Sequence, residues 1–350
     1  MGRIRALLLL LCAASWGLAQ DAPWPTSPTR LPAIRHPKLK SVKRWAYWIQ
    51  DPELSALRAC DADLLVIDYA RDGTQETAFS KAQVASLREA GKTVVAYLSV
   101  GEAEDYRVYW GRRGGRAGAD WKAHPPAWLG PENPEWEGNY TVRYWDPAWQ
   151  QLVIHNPGGH PTLGDEPSAL DRILDAGFDG VFLDVVDAFE HWGPEGDGGN
   201  AERPTAAADM AAFVVALAAY ARTRDPDFVV CQQNGEGLLS PDLERPLPAV
   251  ARKALLAAVD WLSVEDVIYR GDAEQNNPFA PDAQRIRLID AYRAQGKLVT
   301  VIDYFDPAEP GFEQRALDDY GERASGRGWL PYSGPRALDR LGTWSPGRPK

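Results

Sequence analysis

Short apolar runs alternate with amphipathic segments along most of the chain. Eight runs have the length and composition of buried strands, and they begin at residues 44, 63, 93, 180, 228, 261, 298 and 328. Segments with helical periodicity lie between most of them, at 80–90, 205–224, 246–258, 282–295 and 311–324. This alternation, without a hairpin signal, predicts an α/β fold of the (β/α)8 TIM-barrel type. A doubly wound parallel sheet is the alternative, although no glycine-rich phosphate loop follows any predicted strand.

The interval between the third and fourth predicted strands is much longer than the others. Residues 106–167 are rich in glycine and proline, and a loop of this length in a compact domain is usually functional or disordered. Disordered segments are poor in aromatic residues. We therefore predict an ordered insertion, because the interval contains Trp110, Trp121, Trp128, Trp136, Trp145 and Trp149.

The N-terminus resembles an export signal. Residues 1–19 contain two arginines, an apolar run and small residues near Ala19, so we expect cleavage there and a secreted or periplasmic protein. Lipid anchoring at Cys12 is less favoured, because leucines precede it. Residues 20–42 are rich in proline and predict a linker, and 43–350 form the folded domain. No later segment has the length expected of a membrane span.

Composition narrows the classes of partner. The net charge of −11 argues against nucleic acid or an anionic membrane surface, both of which require basic patches. Fourteen tryptophans suggest platforms for flat ligands such as sugar rings, although core packing explains most aromatic residues. Cys60 and Cys231 are expected to be buried thiols, with a disulfide as the alternative in an oxidising compartment.

The strands of a TIM barrel carry the active site at their C-terminal ends, and here almost every predicted strand ends in polar residues. Taken singly, an acid such as Asp68 or Asp187 is explained as well by a helix cap or a salt bridge as by a role in the active site. The candidate rim residues are Tyr47, Asp68, Tyr97, Glu102, Asp187, Gln233, Asn234, Glu236, Tyr269, Asp303 and Tyr304.

Strand alternation selects two acids among them. In the fourth strand Phe182 and Asp184 share one face, and in the sixth strand Ser263 shares a face with Glu265. Two inward carboxylates can divide the roles of general acid and nucleophile or base that glycosidic cleavage requires. Metal binding is the competing use, but no H-x-x-x-H spacing occurs, so we predict no metal site.

Eight blocks, in order, resemble glycoside hydrolase family 114, the family of endo-α-1,4-polygalactosaminidases. They include "WAYWIQ", "VVAYLSVGEAEDYR", "GFDGVFLDVVDAFE" and "WLSVEDV", and the resemblance extends from about Trp45 to Tyr332. It implies a secreted barrel hydrolase with its acidic pair on the fourth and sixth strands, which here means Asp184 and Glu265. The segment 155–167 departs from the expected pattern and leaves the substrate open. Glu236, just beyond the fifth strand, is a rival for the second acid.

From the resemblance we expect endo cleavage of α-1,4 bonds in a galactosamine-containing polysaccharide, which is cationic where it is deacetylated, by a monomer that needs no cofactor. Glu265 would be the acid/base and Asp184 the nucleophile, with exchange of these roles left open and retention preferred. The other rim residues would line the sugar subsites. The alternative is a non-catalytic polysaccharide-binding or cell-envelope protein on the same barrel.

Overall fold

The computed structural model describes residues 24–28, 31–194 and 203–342. The predicted signal segment, 1–19, lies outside the described residues. Most of the predicted linker is included and packs against the barrel. The Arg327 guanidinium donates to the Pro25 carbonyl oxygen at 2.7 Å, and that of Arg293 donates to the Pro32 carbonyl oxygen at 2.8 Å. This part of the segment is therefore an extended arm held to the domain through its backbone carbonyls.

Eight parallel strands form one sheet in the order of the chain, and the two ends of the sheet meet. Trp45 of the first strand donates its indole N–H to the Leu330 carbonyl oxygen of the eighth at 3.0 Å. The predicted (β/α)8 TIM barrel is therefore confirmed, with every strand in its predicted run. The strands are Trp45–Tyr47, Leu64–Asp68, Thr93–Ser99, Gly180–Asp184, Val229–Gln233, Trp261–Glu265, Leu298–Ile302 and Leu330–Tyr332.

Helices surround the sheet, and each of the five predicted helical segments contains one. Local sequence fixes several helix ends. Ser80 and Gln83 form a capping box at the start of α2, and Gly177 ends α4 with a positive φ of 83°. The helices are α1 Leu54–Ala59, α2 Lys81–Glu89, α3 Pro147–Val153, α4 Ala169–Ala176, α5 Ala188–Trp192, α6 Ala206–Arg224, α7 Ala249–Ala258, α8 Ala283–Ala294 and α9 Gln314–Gly326.

Helix α6 is, in the described part of the chain, long and apolar enough by length and composition to cross a membrane. Half of its apolar window is buried in this fold, where it packs against α5 and α7. It is thus placed as an ordinary outer helix of the barrel. Cys60 and Cys231 are both free thiols; Cys231 is buried in the fifth strand as expected, whereas Cys60, at the end of α1, is only partly buried.

Aromatic rings fill the barrel interior. The Phe182 ring lies 5.0 Å from that of Tyr47 and 5.5 Å from that of Trp261 between ring centroids. Trp45 approaches Trp261 in an edge-on arrangement at 6.0 Å. These contacts join residues of the first, fourth and sixth strands across the interior. Phe182 therefore faces inward, and the period of two places Asp184 on the same inward face.

The insertion between the third and fourth strands is ordered, as predicted. Its main element is a small antiparallel sheet of Glu102–Glu104, Leu129–Glu132 and Asn139–Val142. Four tryptophans pack into one cluster beneath it, with centroid distances of 4.7 to 5.4 Å between successive rings. The clustered residues are Trp110, Trp121, Trp128 and Trp149.

Candidate active site

Three neighbouring strands end in the same unusual way. Asp184, Gln233 and Glu265 close the fourth, fifth and sixth strands, and each is followed by a non-glycine residue with positive φ. The φ angles are 58° at Val185, 51° at Asn234 and 51° at Asp266. Such conformations cost about 1–3 kcal/mol each and concentrate at functional sites. The backbone thus marks this sector of the rim.

Asp184 is half-buried at the end of the fourth strand. Its Oδ2 accepts a hydrogen bond of 2.7 Å from the Tyr97 hydroxyl of the neighbouring third strand. Burial raises the pKa of Asp184 to about 7; the Tyr97 hydroxyl opposes this shift, and the charge of Glu265 adds to it. Asp184 therefore retains a proton up to near-neutral pH, unlike an ordinary surface carboxyl.

Glu265 is held by hydrogen bonds at both carboxylate oxygens. The Asn234 amide donates to Oε1 at 2.8 Å, and the Tyr304 hydroxyl donates to Oε2. The Glu265 backbone N–H in turn donates to Asn234 Oδ1 at 3.2 Å. The Arg336 guanidinium covers the Tyr304 ring at 4.0 Å. These contacts fix the orientation of Glu265, as a catalytic carboxylate requires.

Arg285 of α8 supports this arrangement from behind, and sequence reasoning did not identify it. Its side chain forms an ion pair with Glu236 and donates to the Glu265 carbonyl oxygen at 3.1 Å. Glu236, the rival for the second acid, is buried and used in this ion pair. The Arg285 guanidinium also donates to Asn234 Oδ1 at 3.4 Å. Glu236 is placed behind the pair as a supporting residue.

Two more predicted residues share the surroundings of the pair. Burial raises the pKa of the Tyr47 hydroxyl well above its usual value, and the charges of Asp184 and Glu265 contribute. The pKa of Asp187 is likewise far above normal, through burial and then the charges of Asp184, Glu190, Glu265 and Glu236. Asp184, Asp187 and Glu265 thus crowd three carboxyl groups into one sector of the rim, where the charge of one raises the pKa of its neighbours.

Gln233 lies on the strand between the two acids and carries an unsatisfied polar atom. Its Oε1 is buried and has no hydrogen-bond partner among the described residues. Ser263, paired in register with it on the sixth strand, likewise has an unpaired, buried Oγ. Buried polar atoms normally have partners. These two are therefore available to a water molecule or a bound ligand.

Four predicted site residues are engaged elsewhere. Asp68 forms a two-pronged ion pair with Arg107, and Glu102 accepts from two asparagines of the insertion. Asp303 accepts three backbone N–H groups of residues 267–269, and burial raises its pKa to about 7. The Tyr269 hydroxyl donates to Asp319 of α9 at 2.8 Å. Except for Glu102, whose charge raises the pKa of Asp184, these residues support the fold around the rim.

A metal ion would need several His, Cys, Asp or Glu side chains close together. Within 24–28, 31–194 and 203–342 no group of three or more His, Cys, Asp or Glu side chains is placed to hold an ion. The chemistry available at the rim is that of the two oriented carboxylates and the hydroxyl and amide groups around them.

A family model and two relatives match most of the chain. The family model described as "Glycoside-hydrolase family GH114" matches residues 26–348. The uncharacterized protein MJ1477 of Methanocaldococcus jannaschii is 36% identical over 86% of this chain and 78% of its own length. An uncharacterized protein of Deinococcus radiodurans is 33% identical over 96% of both chains.

A solved structure shares the fold. The glycoside hydrolase domain of PelA from Pseudomonas aeruginosa aligns with a TM-score of 0.55 and 22% identity. The alignment covers 87% of this chain and 98% of that domain. At this identity the likeness concerns the barrel architecture, and the identity of the site residues rests on the geometry described above.

Proposed function

The chain belongs to glycoside-hydrolase family GH114, and from that premise we propose that it cleaves α-glycosidic bonds within a galactosamine-containing polysaccharide, with Asp184 and Glu265 as the catalytic pair. One observation carries the assignment. Two carboxyls on the inward face of the barrel rim are each held by a tyrosine hydroxyl, and one of them has its pKa raised to about 7.

The pair can supply both roles in hydrolysis. One carboxyl donates its proton to the glycosidic oxygen while the other, ionised, attacks the anomeric carbon; water then releases the sugar from the enzyme and restores the proton. We assign donation to Glu265 and attack to Asp184. The raised pKa of Asp184 by itself favours the reverse assignment, but the positive charge that develops at the anomeric carbon in the transition state favours the ionised form of Asp184 that attack requires.

The charge of the site supports a cationic substrate. The two guanidinium groups nearest the pair are already neutralised, that of Arg285 by Glu236 and that of Arg336 by Asp266 at 2.8 Å. Asp184, Asp187 and Glu265 are left without a cationic partner among the described residues. An ammonium group bound in this sector would favour the ionised form of these carboxyls, so the sector suits a deacetylated amino sugar.

A depolymerisation assay tests the proposal. The protein is incubated with partially deacetylated α-1,4-linked galactosamine polymer, and with α- and β-linked control polymers, and chain length is followed by mass spectrometry. We expect shorter oligomers from the galactosamine polymer alone. Asp184→Asn and Glu265→Gln should each lose at least about 1,000-fold in rate. Glu89→Gln, an exposed residue near the end of α2, is the matched control and should match wild type.

Alanine variants of the same two residues decide the roles. Azide replaces a missing nucleophile but cannot replace a missing proton donor. With an activated substrate, Asp184→Ala plus azide should yield glycosyl azide of inverted configuration, whereas Glu265→Ala should yield the retained product. The reverse pattern exchanges the two assignments. Equal activity of both variants and wild type would remove the pair from the mechanism.

A non-catalytic polysaccharide-binding protein is the competing proposal. Binding of the polymer without any shortening of it by wild type would favour this alternative. We further propose that the chain is exported, as its first nineteen residues suggest; its recovery outside the cytoplasm with a new N-terminus near Gln20 is the corresponding measurement.

A further inference from the structure

Trp136 differs from the other tryptophans of the insertion. It is 51% exposed, the highest value for a large aromatic side chain in the described part of the chain. Trp110, Trp121, Trp128 and Trp149 pack against one another instead, as described above. Single exposed apolar side chains are common on protein surfaces, but an indole ring that a ligand covers gains the free energy of apolar burial. Trp136 is therefore not needed for the aromatic cluster and is free to contact a ligand.

The start of the insertion contacts the end of the fourth strand, which carries Asp184. The Val100 backbone N–H donates to the Asp184 carbonyl oxygen at 3.0 Å, and Val142 N–H donates to the Gly101 carbonyl oxygen at 3.2 Å. Gly101 approaches so closely that a Cβ there would lie 2.2 Å from the Val185 carbonyl oxygen. The small sheet is thus fixed to the end of the fourth strand, beside the catalytic pair.

Trp136 lies at the tip of a hairpin in that sheet. The loop is anchored on both sides to one buried carboxylate, because Asn133 and Asn139 donate their amide N–H groups to Glu102 at 2.7 and 3.2 Å. The Asn139 backbone N–H also donates to the Trp136 carbonyl oxygen at 3.1 Å. Glu102 is close enough to Asp184 for its charge to raise the pKa of Asp184. The hairpin that carries Trp136 is therefore anchored to Glu102, in the small sheet that adjoins the end of the fourth strand.

Exposed carboxylates flank Trp136 in the chain. They belong to Glu135 and Glu137, which form no ion pair with the described residues. Asp105 lies against Gly138, and burial followed by the charges of Glu132 and Glu137 raises its pKa. An indole face binds both the apolar face of a sugar ring and a nearby cation, and carboxylates attract that cation.

We propose that Trp136, with Glu135 and Glu137, forms an outer subsite that binds a positively charged amino-sugar unit of the polymer, several units away from the bond that is cleaved. The ring stacks on the sugar, and the two carboxylates recognise its ammonium group. This proposal rests on the proposed function for the identity of the polymer. It adds a specific contact outside the catalytic centre and predicts that affinity depends on chain length.

Direct binding measurements test the subsite independently of cleavage. Full-length protein carrying Asp184→Asn, which prevents turnover, is titrated with long deacetylated galactosamine polymer and with its dimer by calorimetry. Adding Trp136→Ala should weaken binding of the long polymer about tenfold, whereas Trp136→Phe should restore most of the affinity. Dimer affinity should not change. Phe279→Ala removes another exposed ring, outside the insertion, as the matched control and should leave both affinities unchanged.

The contribution of Glu135 and Glu137 is measured separately. The double variant Glu135→Gln, Glu137→Gln should weaken binding of the deacetylated polymer severalfold at low salt, without affecting the fully acetylated polymer, and the difference should disappear at about 1 M salt. Binding of the long polymer by Trp136→Ala within twofold of the parent, or an equal loss for the dimer, would overturn the subsite. Absence of cleavage by wild type, with the Trp136 effect on binding present, would instead overturn the hydrolase proposal alone.

Discussion

Arg107→Met removes the central cation of a buried network that joins the insertion to the barrel. The Arg107 side chain is 3% exposed and donates to Asp68 of the second strand at 2.8 and 2.7 Å. It also donates to Glu104 of the insertion at 2.7 Å. Methionine fills a similar volume but leaves two buried carboxyls without a positive partner. The expected result is loss of stability and loosening of the insertion.

The expected size follows from burial. Breaking a buried ion pair by removing one partner costs about 3–5 kcal/mol, because an uncompensated charge remains inside the fold. Burial already raises the pKa of Asp68 even with Arg107 present. Removing the guanidinium raises the pKa of Asp68 in the folded state further. In the unfolded chain the pKa of this group is about 4. The variant therefore loses stability as pH rises from about 4 toward neutrality.

Urea unfolding followed by circular dichroism, at pH 7 and at pH 5, measures this effect. We expect a deficit of about 4 kcal/mol against wild type at pH 7 and a deficit smaller by roughly 1 kcal/mol at pH 5. Arg71→Met is the matched control, because the Arg71–Asp51 pair is exposed and should contribute less than about 1 kcal/mol. A deficit below 1 kcal/mol at pH 7, or one that grows on acidification, would refute the reasoning.

Three further variants test the site. Asp184→Asn should be more stable than wild type by roughly 2 kcal/mol at pH 8 in urea unfolding. The pKa of Asp184 is about 7 in the folded state and about 4 in the unfolded chain, so the wild type loses stability as pH rises above about 4. No gain in stability at pH 8 would contradict this. Tyr97→Phe removes the hydroxyl that lowers the pKa of Asp184, so the limb of the kcat/KM profile that reports Asp184 should move upward by roughly one pH unit; an unchanged profile would contradict it. Glu236→Gln should cost about 3 kcal/mol by leaving Arg285 unpaired, yet reduce kcat far less than Glu265→Gln; equal losses in kcat would make Glu236 catalytic.

The sequence was sufficient for the barrel and for the two inward acids. Each strand is a short apolar run, and its period of two fixes the side on which a residue lies once one neighbour is known to face the core. Phe182 and Trp261 meet inside the barrel, so Asp184 and Glu265 at the same phase reach its rim. This inference needs only local periodicity and the rule that parallel strands end at one face.

The rule that the strand ends carry the site also selected residues with other contacts. Asp303 closes the seventh strand but satisfies three backbone N–H groups of the preceding loop, a need that periodicity does not reveal. Tyr269 turns to α9 rather than to the rim. The supporting cations Arg285 and Arg336 were missed, because they come from a helix and a C-terminal segment that only the fold brings to Glu265 and Tyr304.

By itself the sequence determined the alternation of strands and helices, the ordered insertion and the inward phase of Asp184 and Glu265, since these depend on patterns within a few residues. Tertiary structure decided which acid keeps its proton, which acids are neutralised by arginine and which tryptophan stays exposed. Those properties depend on burial and on charges that lie far apart in the chain. Asp68 and Asp184 both end strands, but the Arg107 guanidinium pairs with the first, whereas burial and the negative charges of Glu265 and Glu102 act on the second.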